Sequence, residues 1–272
     1  MFAPEPGCGT KHPARPPGVR PEPVAIVTAI PEEFEAIANR VSDGQRRVWG
    51  NGRGGFLLRG TMAGASVRLG MTGDGAARAS RSLQFLLEEF PVSLLVGAGV
   101  AGALVPSLRA GDLVVSRRLI DESGEVPPPD ASFVARTSAL GAKPATFVTV
   151  AGPLTSSKQK EDLAARVGAS DSALAVVDME SAAWARAAAS RGVPYVILRA
   201  ISDTFDEELP AFLSSCVGAD GSVDRAAVAR RLLVHPGALP ALLAMRRRVV
   251  AASEGLGRFL ARFLGDLRSE SS

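Results

Sequence analysis

Histidine and cysteine are almost missing from this 272-residue sequence, with two of each. His12 sits among prolines and His235 precedes Pro236, so neither belongs to a Cys/His cluster. Zinc sites, His-based metal centres and disulfide frameworks need such clusters, so none of these is expected to organise the protein. Acid–base chemistry therefore falls to carboxylates. Two scattered cysteines fit a reducing, cytoplasmic compartment. A basic stripe is missing as well. The net charge is +3, of which residues 1–23 carry +1 and residues 239–272 carry +3, leaving the body at −1. Nucleic-acid binders concentrate positive charge on the folded body, so no nucleic-acid partner is expected. The N-terminus lacks an apolar signal region, and seven of its first 23 residues are proline, which reads as a disordered leader. Residues 90–108 carry no charge, but Gly97, Gly99, Gly102 and Pro106 interrupt them. That run suits a buried strand and turn better than a membrane-crossing helix.

What is present is an alternation of strands and helices. PVAIVTAI (23–30) is a β-branched strand that ends at Pro31, which opens a helix through EEFEAIANRV. FLLRG (56–60) and VRLGM (67–71) follow as strands. TGDG (72–75) then leads into a helix whose Ala79, Leu83, Leu86, Leu87 and Phe90 fall at helical spacing. SLLVGAG (93–99) is a strand running into a glycine turn, followed by DLVVS (112–116), a Pro-rich loop (125–130) and TFVTV (146–150). A polar helix covers about 156–166, ALAVVD (173–178) is a buried strand with a helix after it, and YVILRAIS is a final strand. The pattern predicts an α/β fold, one mixed central sheet flanked by helices. Residues 24–205 form the catalytic body, and 206–272 a helical C-terminal extension of the same domain.

One motif misleads by its spelling. Gly97-x-Gly99-x-x-Gly102 follows a strand, with Asp121 about 20 residues on, as in dinucleotide-binding sites. That site needs a helix N-terminus facing the pyrophosphate. Pro106 and the strand at Asp112 leave no room for one. The glycines are instead expected to let a backbone turn approach a smaller ligand.

Three carboxylates fall at strand ends, where α/β proteins place ligands. Glu33 follows the first strand, Glu180 lies in Asp178-Met179-Glu180-Ser181, and Asp203 ends Arg199-Ala200-Ile201-Ser202-Asp203. Taken singly, each is best read as a helix N-cap. The ordered set of strand-glutamate, GAGVAGALVPSLRAGDLVVS and VVDMESAAWARAAASRGVPYVILRAISD resembles the nucleoside phosphorylase superfamily. Within it, the hydrolytic methylthioadenosine/S-adenosylhomocysteine nucleosidases are most similar. The resemblance covers about residues 24–205.

It implies cleavage of an N-ribosidic bond without metal or cofactor, acting on a small-molecule nucleoside, in a homo-oligomer. Asp203, beside Ser202, corresponds to the acid at the purine N7. Glu180 corresponds to the acceptor of the ribose hydroxyls, with Met179 against the sugar, and Glu33 to the residue that positions water. Gly99, Val100 and Ala101 line the site from the glycine segment. Val100 replaces a family serine near the nucleophile, which weakens a phosphate site. Leu154 falls near the family's aromatic stacker, so Phe205 or another ring is a candidate replacement. Glu32 and Glu35 are near enough to Glu33 to compete for its role.

The tail HPGALPALLAMRRRVVAASEGLGRFLARFL is similar to the hopanoid-associated phosphorylases, which cleave adenine from an adenosylated triterpenoid lipid. Its Leu242, Met245, Val249, Leu256, Phe259, Leu260 and Phe263 are expected to cover core or a subunit interface in preference to a membrane. Two alternatives to the nucleosidase reading stay open: the hopanoid-type reaction, and a binder of nucleosides without turnover. Asp74 is expected to cap the helix after it, and Trp184 to be core. Cys216, without a histidine partner, is not expected to be a nucleophile.

Overall fold

The computed structural model describes residues 22–48, 56–218 and 222–269. The proline-rich leader expected over 1–23 falls outside the described residues, apart from Glu22 and Pro23. Among the described residues, no helix is long and apolar enough to cross a membrane.

In chain order, the first half holds β1 (Val24–Thr28), α1 (Pro31–Ala38), β2 (Ser42–Val48), β3 (Phe56–Met62), β4 (Ala65–Met71), α2 (Ala76–Glu89), β5 (Leu94–Ala103), β6 (Leu113–Asp121) and β7 (Gly124–Glu125). The second half holds α3 (Ala131–Ala139), β8 (Lys143–Thr149), α4 (Ser157–Val167), β9 (Ala175–Asp178), α5 (Ser181–Ser190) and β10 (Tyr195–Asp203). A 3-10 turn at Ala211–Cys216 then precedes α6 (Arg225–Val234) and the long α7 (Leu239–Ser269). Three elements depart from the sequence expectation. β2 (SDGQRRV) is exposed throughout and has no apolar alternation; only its antiparallel pairing with β3 makes it a strand. α3 follows the Pro-rich loop in a stretch to which the pattern assigns no element, started by Asp130, whose side chain accepts from Ser132 N–H at 2.9 Å. The glycine turn expected after residue 99 is absent, because β5 runs unbroken through Gly97, Gly99 and Gly102.

Among the described residues, all ten strands belong to one mixed sheet, and β5 is its hub. Its first half pairs with β1, ending at Val27 opposite Gly97. Its last residues, Gly102 and Ala103, pair instead with β9. On its other edge β5 runs parallel to β10, which pairs with β6, which leads through β8 back to β9. The strands β5, β10, β6, β8 and β9 thus close a ring, and β1, β4, β3 and β2 extend from it as an open wing. Where β1 leaves β5 and β9 joins it, the β5 edge from Ala98 to Ala101 has no strand partner in that direction. A partner change of this kind splays the flanking strand ends and opens a crevice.

Apolar side chains fill both faces of the sheet. One cluster packs α2 and α5 on it through Leu83, Leu86, Trp184 and Ala188. The other packs α1 and the C-terminal half of α7 through Phe34, Ile37, Leu256, Phe259, Leu260 and Phe263. Burying each of these large side chains stabilises the fold by about 1.5–3 kcal/mol. In the first half of α7, Leu242, Met245 and Val249 line a cavity and stand outside both core clusters.

Candidate functional site

The crevice beside β5 is a cavity of about 490 Å³. Of the eight residues expected at the site, Glu33, Val100, Ala101, Met179, Glu180, Ser202 and Asp203 line it. Gly99 lies beneath them. A Cβ there would fall 1.9 Å from Arg199 Nη1 and 2.7 Å from Glu33 Oε1. A Cβ on Gly102 would fall 2.6 Å from Asp203 Oδ2. These glycines therefore make room for the protein's own charged side chains, on an extended strand and not in the expected turn.

Glu33 is fixed by the start of α1. Pro31 sets the first helical residue, and Glu33, two residues on, reaches back so that Oε2 accepts from Ala29 N–H (2.9 Å) and Ile30 N–H (3.2 Å). Its Oε1 accepts from Val100 N–H at 2.9 Å, the β5 edge group left unpaired by the partner change. Burial pushes the Glu33 carboxyl above its ordinary range, opposed by the charge of Arg199 and by these three N–H groups. Glu32 and Glu35 do not reach β5: Glu32 lines the cavity at its outer rim, near Arg225 and Arg246, and Glu35 pairs with Arg46 at 2.7 Å. Successive helical residues point about 100° apart, so only one of the three reaches β5.

Glu180 occupies the cap position of α5 but does not cap it. Its Oε1 accepts from Gly75 N–H at 2.9 Å. Burial raises its carboxyl to about 8; Arg199 and Gly75 N–H pull against that, while the charges of Asp178 and Glu33 add to it. Asp178 is committed to structure, accepting from Thr149 Oγ1 (2.9 Å), Ser181 N–H (3.1 Å) and Ser181 Oγ.

Arg199, not assigned a role from the sequence, ties these acids together. It is fully buried, donating from Nε to Asp178 Oδ2 (3.1 Å) and from Nη2 to Ser181 Oγ (3.0 Å), with Nη2 3.8 Å from Glu180 Oε2. Its guanidinium carbon lies 4.8 Å from the Trp184 ring centroid, so Trp184 is core that also supports the cation. Burial opposes the charge, but Asp178, Glu180 and Glu33 hold Arg199 protonated. A signal for it exists in the sequence. An arginine inside the apolar run YVILRAIS must be buried, and a buried guanidinium requires carboxylates around it.

Asp203 ends β10 at the far side of the cavity. Its Oδ1 accepts from Ser202 Oγ at 2.9 Å, and its Oδ2 lies 2.9 Å from Lys160 Nζ. No α-helix follows, so the capping reading does not apply to it. Asp74 departs from expectation too. It leaves α2 uncapped, and its Oδ2 accepts from Val223 N–H at 2.6 Å, bridging the body to the cavity roof. Leu154 lines the cavity, whereas Phe205 packs with Leu104 and Leu163 outside it. Among the described residues that line the cavity, none is aromatic. Asp121 forms a two-point pair with Arg186 (2.8 and 3.0 Å) and takes no part in the cavity.

The outer wall is apolar. Leu213 from the 3-10 turn, Val228 from α6, Leu242, Met245 and Val249 from α7, and Leu209 and Val223 from the adjoining loops form it. The combined arrangement can hold a polar ring system between two carboxylate ends, with an apolar substituent directed outward.

A family model described as the phosphorylase superfamily matches residues 23–233. A 5'-methylthioadenosine/S-adenosylhomocysteine nucleosidase from Actinobacillus succinogenes is 28% identical over 207 residues, spanning 68% of this chain and 87% of that protein. The enzyme of the same name from Anoxybacillus flavithermus is 29% identical over 206 residues, with the same shares. Among solved structures, the S-adenosylhomocysteine nucleosidase of Streptococcus pyogenes superimposes with a TM-score of 0.71 at 19% identity, over 92% of this chain and 99% of that one. The futalosine hydrolase of Helicobacter pylori gives 0.68 at 19%, over 90% of this chain and 98% of that one. At these identities the structural likeness carries the fold alone.

Proposed function

Because this chain belongs to the phosphorylase superfamily, we propose that it is a purine nucleosidase that hydrolyses the N-ribosidic bond of a 5'-substituted nucleoside such as methylthioadenosine or S-adenosylhomocysteine and releases adenine. One observation carries the reading: Glu33 from the start of α1, Glu180 from the β9–α5 junction and Asp203 from the end of β10 converge on one cavity. Cleavage passes through an oxocarbenium-like state. Positive charge grows on the ribose while the purine gains electrons, so carboxylates near the sugar and a proton donor near the base both lower the barrier. Glu180 accepts from the ribose hydroxyls, with Met179 against the sugar ring. Glu33 takes a proton from the attacking water, and burial, by raising its carboxyl, makes it a stronger base. Asp203, oriented by Ser202, delivers a proton to the purine N7.

Water is favoured over phosphate because the nucleophile end is built around a buried glutamate, and an anion placed beside a carboxylate is repelled. Val100, without a hydroxyl, offers phosphate only its backbone. A homo-oligomer in the cytoplasm forms part of the same proposal and rests on the family resemblance.

The decisive experiment is Asp203→Asn, assayed by adenine release from methylthioadenosine in phosphate-free buffer. Turnover should fall at least about 100-fold, as for loss of a general acid, with the melting temperature held. Near-full activity would refute the assignment, and a requirement for added phosphate would make the protein a phosphorylase. Tight nucleoside binding by the wild type without turnover would make it a binder.

A second reading of the 5' substituent follows from the apolar outer wall, which favours a long apolar group over methylthio. In a series of 5'-alkylthioadenosines, kcat/KM should rise with chain length, by up to about tenfold for every 1.4 kcal/mol of added burial. Leu242→Ser should flatten that rise. A series that declines from methyl onward would assign the protein to short thioether substrates.

A further inference from the structure

Lys160, against Asp203, has no purpose in the roles assigned so far. It lies on α4, on the same face as Leu163 and Ala164, and its side chain is only 1% exposed. Its ammonium stands 2.9 Å from Asp203 Oδ2 and donates to the backbone carbonyls of Thr204 and Glu207, the latter at 3.1 Å. Those three acceptors use all three of its N–H groups. Taking an ammonium out of water costs several kcal/mol, and an apolar residue would anchor α4 to the neighbouring Leu104, Val148 and Val177 more cheaply. The charge is therefore placed for Asp203.

We infer that Lys160 is a positioning residue for leaving-group activation: it fixes the Asp203 carboxyl toward the purine and stabilises the carboxylate that forms as Asp203 gives up its proton. This rests on the nucleosidase reading above. In that reaction the C1'–N9 bond breaks and its electron pair passes to the purine, while the Asp203 proton goes to N7. The water oxygen bonds to C1', and the released water proton goes to Glu33. Asp203 later recovers a proton, and Glu33 loses one, through solvent. Lys160 keeps its own protons throughout. Its charge faces the oxygen that becomes anionic, and Ser202 Oγ donates to the other oxygen at 2.9 Å. Gly102 leaves the space in which that oxygen sits.

The test is Lys160→Gln, which removes the charge and, though one atom shorter, keeps two N–H donors for the Thr204 and Glu207 carbonyls. Adenine release from methylthioadenosine should show kcat reduced about 30-fold, with KM within about threefold of wild type. Binding of 5'-methylthiotubercidin, which carries C–H in place of N7 and so takes nothing from Asp203, should be unchanged. Lys160→Met should melt lower, yet show a similar kcat loss per site titrated with that analogue. The inference is overturned if Lys160→Gln keeps kcat within about threefold while Asp203→Asn abolishes turnover. It is overturned equally if kcat, KM and analogue affinity decline together, the mark of a purely structural role. Full activity in Asp203→Asn would instead remove the reading on which the inference stands.

Discussion

The floor and the roof of the cavity are built on different principles. On the floor the ionisable groups are buried: Glu33 on α1, Asp178 and Glu180 at the β9–α5 junction and Arg199 within β10 are all in the interior, and each is held by neighbouring side-chain or backbone groups. The roof is made of α6, which buries no residue, and residues 239–251 of α7, whose side chains are exposed or half-buried. It is joined to the body at the rim, through Arg225 and Arg246 near Glu32, Arg248 with Glu207, and Val223 on Asp74. Ion pairs of partly exposed arginines contribute about 0–1 kcal/mol each. A buried carboxylate left without its partner costs several times that. The floor thus tolerates little change and suits chemistry, whereas the roof can vary in sequence and suits choice of substituent.

The largest expected break in this contrast is on the floor, at Gly99→Ala. The new methyl group would overlap the Arg199 guanidinium and the Glu33 carboxyl, and neither can swing into solvent. Overpacking of this kind destabilises by about 1–3 kcal/mol, and adenine release should drop by about 100-fold or more as Glu33 is displaced. Thermal melting together with the adenine assay checks both. A Gly99→Ala enzyme with wild-type rate would show that the floor is not tightly constrained.

A smaller effect sharpens the contrast through pH. The folded-state Glu180 carboxyl is raised to about 8 from an ordinary value of 4.5. The folded protein therefore binds a proton that the unfolded chain releases between those values. Its contribution to stability is full below about 4.5 and is lost as the pH rises through 8. Glu33, also raised, acts in the same direction. The melting temperature of the wild type should fall between pH 5 and pH 9, and Glu180→Gln should reduce that fall by about 5 °C. Equal slopes for the two proteins would show that Glu180 does not carry the effect.

Much of the floor was legible because its elements announce themselves locally. PVAIVTAI followed by Pro31, and ALAVVD followed by a helix, each carry an apolar run and a start signal within a few residues. β2 was not legible, since SDGQRRV has no alternation and becomes a strand only by pairing with β3. The glycine segment was misread as a turn because a glycine-rich run looks the same whether it bends or stays extended under bulky neighbours. Arg199 had a signal in its apolar strand. Lys160 had a weaker one, its place three and four residues before Leu163 and Ala164 on a polar helix.

By itself the sequence determined the chemical means. With two histidines and two cysteines it left carboxylates as the acid–base groups, and its strand–helix alternation placed three of them at strand ends. The tertiary structure decided which of them meet. It turned Glu33 toward Val100 and sent Glu32 to the rim, and it set Lys160 against Asp203 from a different element. The physical reason is that local pattern fixes each residue's helix or strand, but not the partner that its side chain finds. That partner was set by the change of β5 from β1 to β9, a pairing between segments far apart in the chain.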